Sequence, residues 1–352
     1  MTSRVRPPTF EDAWRFDSLL AAFRRARRAK RGKGEEPVFY RDLETNLLRL
    51  SDELRNLEYR PRPYRYFRLW NKKERMVSEA AFRDRVVHHS LVAAIEPTFE
   101  EVFIRHSYAC RKGKGTHLAL REASRMARAF PYFLKLDIRR YFDHVSHDVL
   151  LDLLSRKVAD RDLLWLCEVF LAHTDAPAAS GERRGLPIGN LTSQFWANVY
   201  LDPLDHLVRD DLGCGAYLRY MDDMVLFDRR KERLWLLAAE VGSFCREVLR
   251  LDLKDEVTRV APVSEGIPWL GFRVYPGTRR LDAAGRRRFV KKLRASWKTA
   301  VKAYPGGSTE QDTERDRAAS LCGHLCAGST HGFRRSVVAR LDDTTPIDAV
   351  FS

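Results

Sequence analysis

The residues best suited to chemistry are three carboxylates, one alone and two adjacent. Asp222 and Asp223 lie within Tyr217-Leu218-Arg219-Tyr220-Met221-Asp222-Asp223-Met224-Val225-Leu226-Phe227. Apolar, aromatic and β-branched runs flank the acidic pair. This pattern predicts a β-hairpin whose tight turn is made of the two aspartates. Adjacent like charges repel, so a fold that sets them between buried strands commonly supplies a cation. Carboxylate oxygens are hard ligands that suit Mg²⁺ or Mn²⁺ rather than zinc. Taken alone, the pair fits a solvated turn equally well, since Asp is a common turn residue. Asp137 closes Tyr132-Phe133-Leu134-Lys135-Leu136-Asp137-Ile138, read as a short buried strand. A strand end and a hairpin turn on one sheet can bring three acids together. Such a set can hold two divalent ions about 3.5–4 Å apart, one activating a 3′-hydroxyl and one neutralising a triphosphate.

Nucleotide chemistry of that kind needs further parts. Residues 64–78 read as a hairpin with a basic tip, Asn71-Lys72-Lys73-Glu74. Lys72 and Arg75 there suit clamping a triphosphate. Phe142 stands five residues after Asp137, and either a core position or a residue that judges the sugar fits it. Gly185-Leu186-Pro187-Ile188-Gly189-Asn190 reads as a tight loop before a helix from about Leu191 to His206. Gly189 lets backbone approach closely, and Thr192 and Ser193 suit capping of that helix. Arg111-Lys112-Gly113-Lys114-Gly115-Thr116 is basic and Gly-rich, but it lacks the GxxxxGK[ST] spacing of a phosphate-binding loop. It reads as a loop that contacts a nucleic-acid backbone.

Charge points the same way. The 352 residues carry 63 Lys+Arg against 48 Asp+Glu, a net +15 that favours a polyanionic partner. Hydrophobic content of 44% is ordinary for a protein with a real core. No apolar run reaches the roughly 18 residues that span a bilayer, and the N-terminus has no apolar signal-like core. The cysteines at 110, 167, 214, 245, 322 and 326 are scattered. They form no disulfide framework, which suggests a reducing, cytoplasmic setting.

Other segments supply scaffold. Residues 10–33 predict a helix with Trp14, Leu19, Leu20 and Phe23 on one side and a basic end. A second helix carries Leu43, Leu47, Leu48, Leu50 and Leu54. Asp84, between Arg83 and Arg85, reads as a structural ion-pair cluster. His88 and His89 have no acidic or Cys partner at ligand spacing. A helix over 231–250 precedes a strand pair around Leu253 and Trp269-Leu270-Gly271-Phe272. Residues 285–302 predict a helix bearing Arg287, Lys291 and Arg294 around Phe289, Leu293 and Trp297. Its basic face fits a solvated surface or, better, a backbone track. Cys322, His324, Cys326 and His331 match no familiar zinc spacing.

Taken together, four motifs in order resemble a reverse transcriptase from about residue 60 onward. Leu136-Asp137-Ile138-Arg139-Arg140-Tyr141-Phe142 resembles motif A. Gly185 to Gln194 resembles motif B, Tyr220-Met221-Asp222-Asp223 motif C, and Gly266-Ile267-Pro268-Trp269-Leu270-Gly271-Phe272 the primer grip. The resemblance implies an α+β right-hand polymerase. Residues 1–59 would be an N-terminal helical region and 60–130 fingers with a β-hairpin. An antiparallel palm would span 131–274, with finger-type helices at about 145–184, and a helical basic thumb 275–352.

The resemblance makes Asp137, Asp222 and Asp223 catalytic, and adds Ile138 to them as ligands of two Mg²⁺ ions, with Mn²⁺ able to substitute. Lys72, Arg75, Phe142, Ile188, Gly189 and Gln194 would meet the deoxynucleoside triphosphate, Phe142 as a steric gate. Arg111, Lys112, Lys114, Trp269, Gly271, Arg287, Lys291 and Arg294 would meet template RNA and nascent cDNA or primer.

The Ile188-Gly189 start and Ser193-Gln194 end of motif B resemble enzymes of diversity-generating retroelements. So does Ser320-Leu321-Cys322-Gly323-His324. That group copies with errors at adenines and works with a small basic accessory protein. Alternatives are a defence-associated, CRISPR-linked or group II-like reverse transcriptase, or a catalytically weak nucleic-acid-binding relative. Motif D departs from its relatives: Val257 stands where many carry Lys, with Lys254 three residues earlier.

Overall fold

A computed structural model describes residues 6–28, 31–70, 74–173, 183–291, 328 and 330. In chain order the helices are α1 (Glu11–Trp14), α2 (Phe16–Ala26), α3 (Glu36–Arg41), α4 (Leu43–Arg55), α5 (Phe82–Glu100), α6 (Thr116–Ala129), α7 (Tyr141–His144), α8 (His147–Ser155), α9 (Arg161–Ala172), α10 (Leu191–His206) and α11 (Lys231–Glu247). The strands are β1 (Arg65–Trp70), β2 (Glu74–Glu79), β3 (Tyr132–Asp137), β4 (Tyr217–Tyr220), β5 (Asp223–Asp228), β6 (Arg259–Pro262), β7 (Ile267–Trp269), β8 (Phe272–Tyr275) and β9 (Thr278–Leu281). No helix among the described residues is long and apolar enough to cross a membrane.

The chain divides into two compact units. The first holds residues 1–105, 138–213 and 240–254; the second holds 106–137, 214–239 and 255–352.

The first unit is helical, with one two-stranded antiparallel sheet, β1–β2. Its core gathers α1, α2, α8 and α9 around α5 and α10, whose buried residues are mostly apolar but include Asp84, His88, Ser90, Thr192, Ser193, Asn198 and Asp205. Phe23, Phe39 and Phe82 meet edge to face or stacked in that core. The helix expected over 10–33 is broken at Arg15, whose extended ψ of 139° separates α1 from α2. In α4, Leu47, Leu50 and Leu54 are buried at i, i+3, i+7 spacing, while Leu48 falls off that stripe and is exposed. Asp84 is structural, as expected, but of its two flanking arginines only Arg83 pairs with it, at 3.5 Å, while Arg85 pairs with Glu79. The buried carboxylate accepts from the Tyr59 hydroxyl at 2.7 Å and the Arg62 amide at 2.8 Å.

The second unit is built on a four-stranded antiparallel sheet of order β4-β5-β3-β6 and a three-stranded sheet β7-β8-β9. The four inner residues of β3 are buried, three of them apolar with Lys135 the exception, as befits a central strand. Helix α6 lays Ala119, Leu120, Ala123, Met126 and Ala127 against Phe133, Val225, Phe227, Trp269 and Phe272. These helix positions recur at i, i+1, i+4, i+7, i+8, one apolar stripe.

The strand pair expected near Leu253 differs. Leu253 makes only an isolated bridge to Ile138, and Trp269 pairs with Phe272 in the separate three-stranded sheet. The turn joining β7 to β8 is two residues, Leu270 and Gly271, both at positive φ (49° and 85°), as a tight hairpin requires. A helical segment covers 283–291; Arg294, Trp297 and Ser320 to His331 lie outside the described residues, apart from Gly328 and Thr330.

Candidate active site

In the second unit the carboxylates are set by strand register. β3 and β5 run antiparallel with Asp137 directly opposite Asp223. Directly opposed residues project to the same face, with Cβ atoms about 4.5–5.5 Å apart. Tyr220 closes the β4–β5 hairpin against Asp223, so the turn itself is Met221-Asp222. This corrects the sequence reading: only Asp222 is a turn residue, and Asp223 opens the strand. Met221 takes φ of 59°, the left-handed region that a non-Gly residue enters only at a cost of about 1–2 kcal/mol.

The side chain that meets this turn is Arg219. It is fully buried, and its Nη1 donates to the Met221 carbonyl at 3.2 Å. The backbone of Arg219 is pinned as well. Its amide donates to the His106 carbonyl, and its carbonyl accepts from the Tyr108 amide, both at 3.0 Å. Thus the segment that leads into Arg111-Lys112-Gly113-Lys114 is stitched to the open edge of β4. That loop is tied internally too: Arg111 donates to the Ser107 carbonyl, and the Lys114 ammonium lies 5.4 Å from the Tyr108 ring centroid. The Tyr220 hydroxyl sits 3.2 Å from Thr116 Oγ1 at the start of α6.

Lys135 shares the strand face of Asp137 and Asp223, two residues along. Its side chain is buried and forms an ion pair with Asp223. A buried ammonium is tolerated only when paired, and the carboxylate beside it meets that need. Arg219 and Lys135 escaped the sequence reading. The signal was present: each is a long cation inside an apolar strand run.

The metal expectation can be tested on the donor set. Asp137 and Asp223 are hard oxygen donors on one face, and Asp222 adds a third in the turn, so the residue types and register fit Mg²⁺. Among the described residues, however, no three His, Cys, Asp or Glu side chains stand gathered around one point as a ready cage. Ile138, named with them, is a buried apolar residue whose side chain has no donor atom.

In the first unit a different group is brought together. The Ser78 amide donates to the Ile188 carbonyl at 2.8 Å, and the Leu186 amide to the Phe142 carbonyl at 2.7 Å. Two backbone bonds therefore link β2, the 185–190 loop and α7. Gly189, at φ 118°, rests on β2 so closely that a Cβ would lie 2.9 Å from Val77 Cγ1 and 3.1 Å from the Ser78 carbonyl oxygen. Arg75 is two residues from Val77 on β2, hence on the same strand face as the residue that Gly189 covers. Phe142 and Ile188 are half-buried, Arg75 exposed, and Gln194 half-buried on the first turn of α10. Lys72 lies outside the described residues, and Glu74 belongs to β2 rather than to the turn.

Two expectations are corrected. Trp269 is buried in the core against α6, so its indole cannot present itself to nucleic acid. Gly271, in the β7–β8 turn, and Arg287 and Lys291, one helical turn apart, remain accessible. Thr192 does not cap α10; its hydroxyl pairs with His88 Nδ1 at 2.9 Å. Ser193 is likewise buried and makes no cap. His88 stacks on Phe170, and burial lowers its pKa to about 3, so the ring is neutral. His89 is lowered to about 4, by burial first and then by Arg25 and Arg85. Both histidines are therefore structural.

The family description "Reverse transcriptase (RNA-dependent DNA polymerase)" matches residues 65–274. Protein YkfC of Escherichia coli K12 is 26% identical over 267 residues, 64% of this chain and 70% of that protein. The group II intron-encoded protein LtrA of Lactococcus lactis is 28% identical over 170 residues, 47% of this chain. The matched segment spans only 28% of LtrA. Among solved structures, telomerase from Candida albicans with a telomeric RNA fragment aligns at TM-score 0.45 and 11% identity, over 69% of this chain and 51% of that one. The family match covers more than half of the sequence and contains all three aspartates: the chain belongs to the reverse transcriptases, the RNA-directed DNA polymerases.

Proposed function

We propose that this enzyme copies a template RNA into cDNA from deoxynucleoside triphosphates, with Asp137, Asp222 and Asp223 as ligands of two Mg²⁺ ions, replaceable by Mn²⁺. The observation that carries the reading is the register that sets Asp137 opposite Asp223 with Asp222 in the adjoining turn. When bound, the ions supply charge for the triphosphate and a lowered pKa at the 3′-hydroxyl. The chain's own residues do the positioning. Arg219 fixes the turn that carries Asp222, and Lys135 offsets the charge of Asp223. Arg75, with Lys72, suits the triphosphate as a cationic clamp. Phe142 is the residue assigned to excluding a ribose 2′-hydroxyl. Ile188, Gly189 and Gln194 belong to the nucleotide-facing set, and Arg111, Lys112, Lys114, Gly271, Arg287, Lys291 and Arg294 to the nucleic-acid set. In this reading β1–β2 and the helices around it are fingers, the four-stranded sheet is palm, and residues 275–352 are thumb.

The subfamily reading is a diversity-generating enzyme, error-prone at template adenines, aided by a small basic accessory protein. It rests on the Ile188-Gly189 start and the Ser193-Gln194 end of motif B. A second reading, a group II-like enzyme, is favoured by the relation to LtrA.

The test is deoxynucleotide incorporation on an RNA template with Mg²⁺, with products sequenced, for the wild type and for Asp222→Ala/Asp223→Ala. The expected result is cDNA with errors concentrated opposite adenine, and none from the variant. Faithful cDNA would leave the polymerase and overturn the diversity-generating reading. Product from the variant would overturn the assignment of the aspartates.

A further inference from the structure

Helix α6 has a second face, opposite its apolar stripe, that the polymerase chemistry does not use. His117, Arg121, Arg125 and Arg128 recur there at i, i+4, i+8, i+11, and all four are exposed. Arg125 is neutralised within the helix by Glu122, to which its Nε donates at 2.9 Å. Arg121 and Arg128 face another cation instead. Arg279 of β9 pairs in register with Val274 and so lies on the strand face that carries Phe272 and Leu281 and packs on α6. It is half-buried there. Burial first, and then the like charges of Arg121 and Arg128, push its guanidinium below the ordinary range. The β8–β9 turn closes in as well: a Cβ on Gly277 would lie 4.0 Å from Arg128 Nε.

A merely solvated charged face spreads its cations into water. Here one guanidinium is partly desolvated within reach of two like charges, an arrangement that costs free energy unless an anion is present. The stripe also has direction. α6 starts at Thr116 beside the motif C residue Tyr220, and the basic loop 111–114 precedes it. At 1.5 Å per residue, the stripe runs about 16 Å from His117 to Arg128, away from the catalytic hairpin. Within it Arg121 and Arg128, seven residues apart, lie about 10.5 Å from each other along the axis.

We infer that Arg121, Arg128 and Arg279 form a docking track for the phosphate backbone of single-stranded RNA, continuous with the 111–114 loop and outside the catalytic carboxylates. Guanidinium forks suit phosphate oxygens, and such contacts carry no base specificity.

The full-length protein is compared with Arg121→Ala/Arg128→Ala/Arg279→Ala, and with Arg121→Ala/Arg128→Ala in case the half-buried Arg279 is needed for folding. Binding of a long unstructured RNA is titrated across salt concentrations. Loss of three phosphate contacts should reduce the slope of log K against log salt by about 2, and loss of two by about 1.4. Affinity for long RNA should fall at least tenfold at physiological salt. Extension of a primer–template too short to reach the stripe should keep its kcat and KM. The corresponding Lys variants should retain most of the slope. An unchanged slope overturns the track, as does an equal loss on the short primer–template. Polyglutamate competing as well as RNA would also overturn it and point to an acidic protein. Failure of the polymerase reading would appear in extension and leave the slope as it is, so the two are separable.

Discussion

Lys135 and Asp223 form an ion pair on the face of the central sheet that also carries Asp137, its partner in register. The Lys135 side chain is buried, and its backbone pairs in register with Val225 on β5 and Arg259 on β6. Lys135→Met keeps the apolar stem and removes the charge, leaving Asp223 opposite Asp137 without that cation. Breaking a buried pair costs about 3–5 kcal/mol; because Asp223 is one-quarter exposed, about 2–3 is expected here. Mg²⁺ should raise the thermal midpoint of the variant more than that of the wild type, because a divalent ion replaces the missing charge. Equal Mg²⁺ shifts in a melting series would refute the role given to Lys135.

Gly189 is the position where the motif B loop has no space for a side chain. Its φ of 118° is outside the range of L residues, and a Cβ would press on the Ser78 carbonyl, part of the strand backbone. Gly189→Ala should push the loop off β2 and break the Ser78–Ile188 bond. We expect a loss of about 2–3 kcal/mol in stability and a raised KM for deoxynucleotides. Urea denaturation with steady-state extension checks both. A variant with wild-type stability and KM would show that the loop tolerates the displacement.

Much of this was legible in the chain. β3, the β4–β5 hairpin and α10 follow from apolar runs bounded by polar residues, and the three aspartates stood out by type and spacing. What the sequence left unread depends on register and burial. Nothing local tells that Asp223 begins a strand while Met221 takes the strained turn position, because that depends on which residue pairs with Tyr220. Trp269 looked like a contact residue since motif patterns do not reveal that α6 covers it. Thr192 looked like a cap until His88, distant in sequence, claimed its hydroxyl. Lys135 and Arg219 were overlooked because an isolated cation in an apolar strand acquires meaning only from its partner.

Ile188 gives the fidelity reading a direct handle. Its carbonyl is held by Ser78, so its side chain projects from a fixed backbone. An isoleucine offers a mispaired nucleotide no hydrogen bond to lose, whereas an amide would penalise misplacement. Ile188→Gln should lower misincorporation opposite template adenine relative to the other bases, read by sequencing cDNA from one template. An unchanged ratio would sink this account while leaving the polymerase in place.

Acid should destabilise the helical unit through buried His88 and half-buried His89. His88 and His89 have folded pKa values of about 3 and about 4, below the unfolded 6.5. A depressed base binds its proton more readily when unfolded. Stability is therefore full above pH 6.5 and is lost as the pH falls towards 4. Each ring contributes a slope of up to about 1.4 kcal/mol per pH unit. The opposing shift of His206, raised through its Asp210 bond and the nearby Asp202 despite its own burial, softens the upper end of that window. Urea midpoints between pH 7 and 4.5 should show the decline, and His88→Gln should flatten it by about one proton while lowering stability at pH 7. A pH-independent midpoint would mean that water or a partner group protonates these rings in the fold, contrary to their burial against Phe170, Arg25 and Arg85.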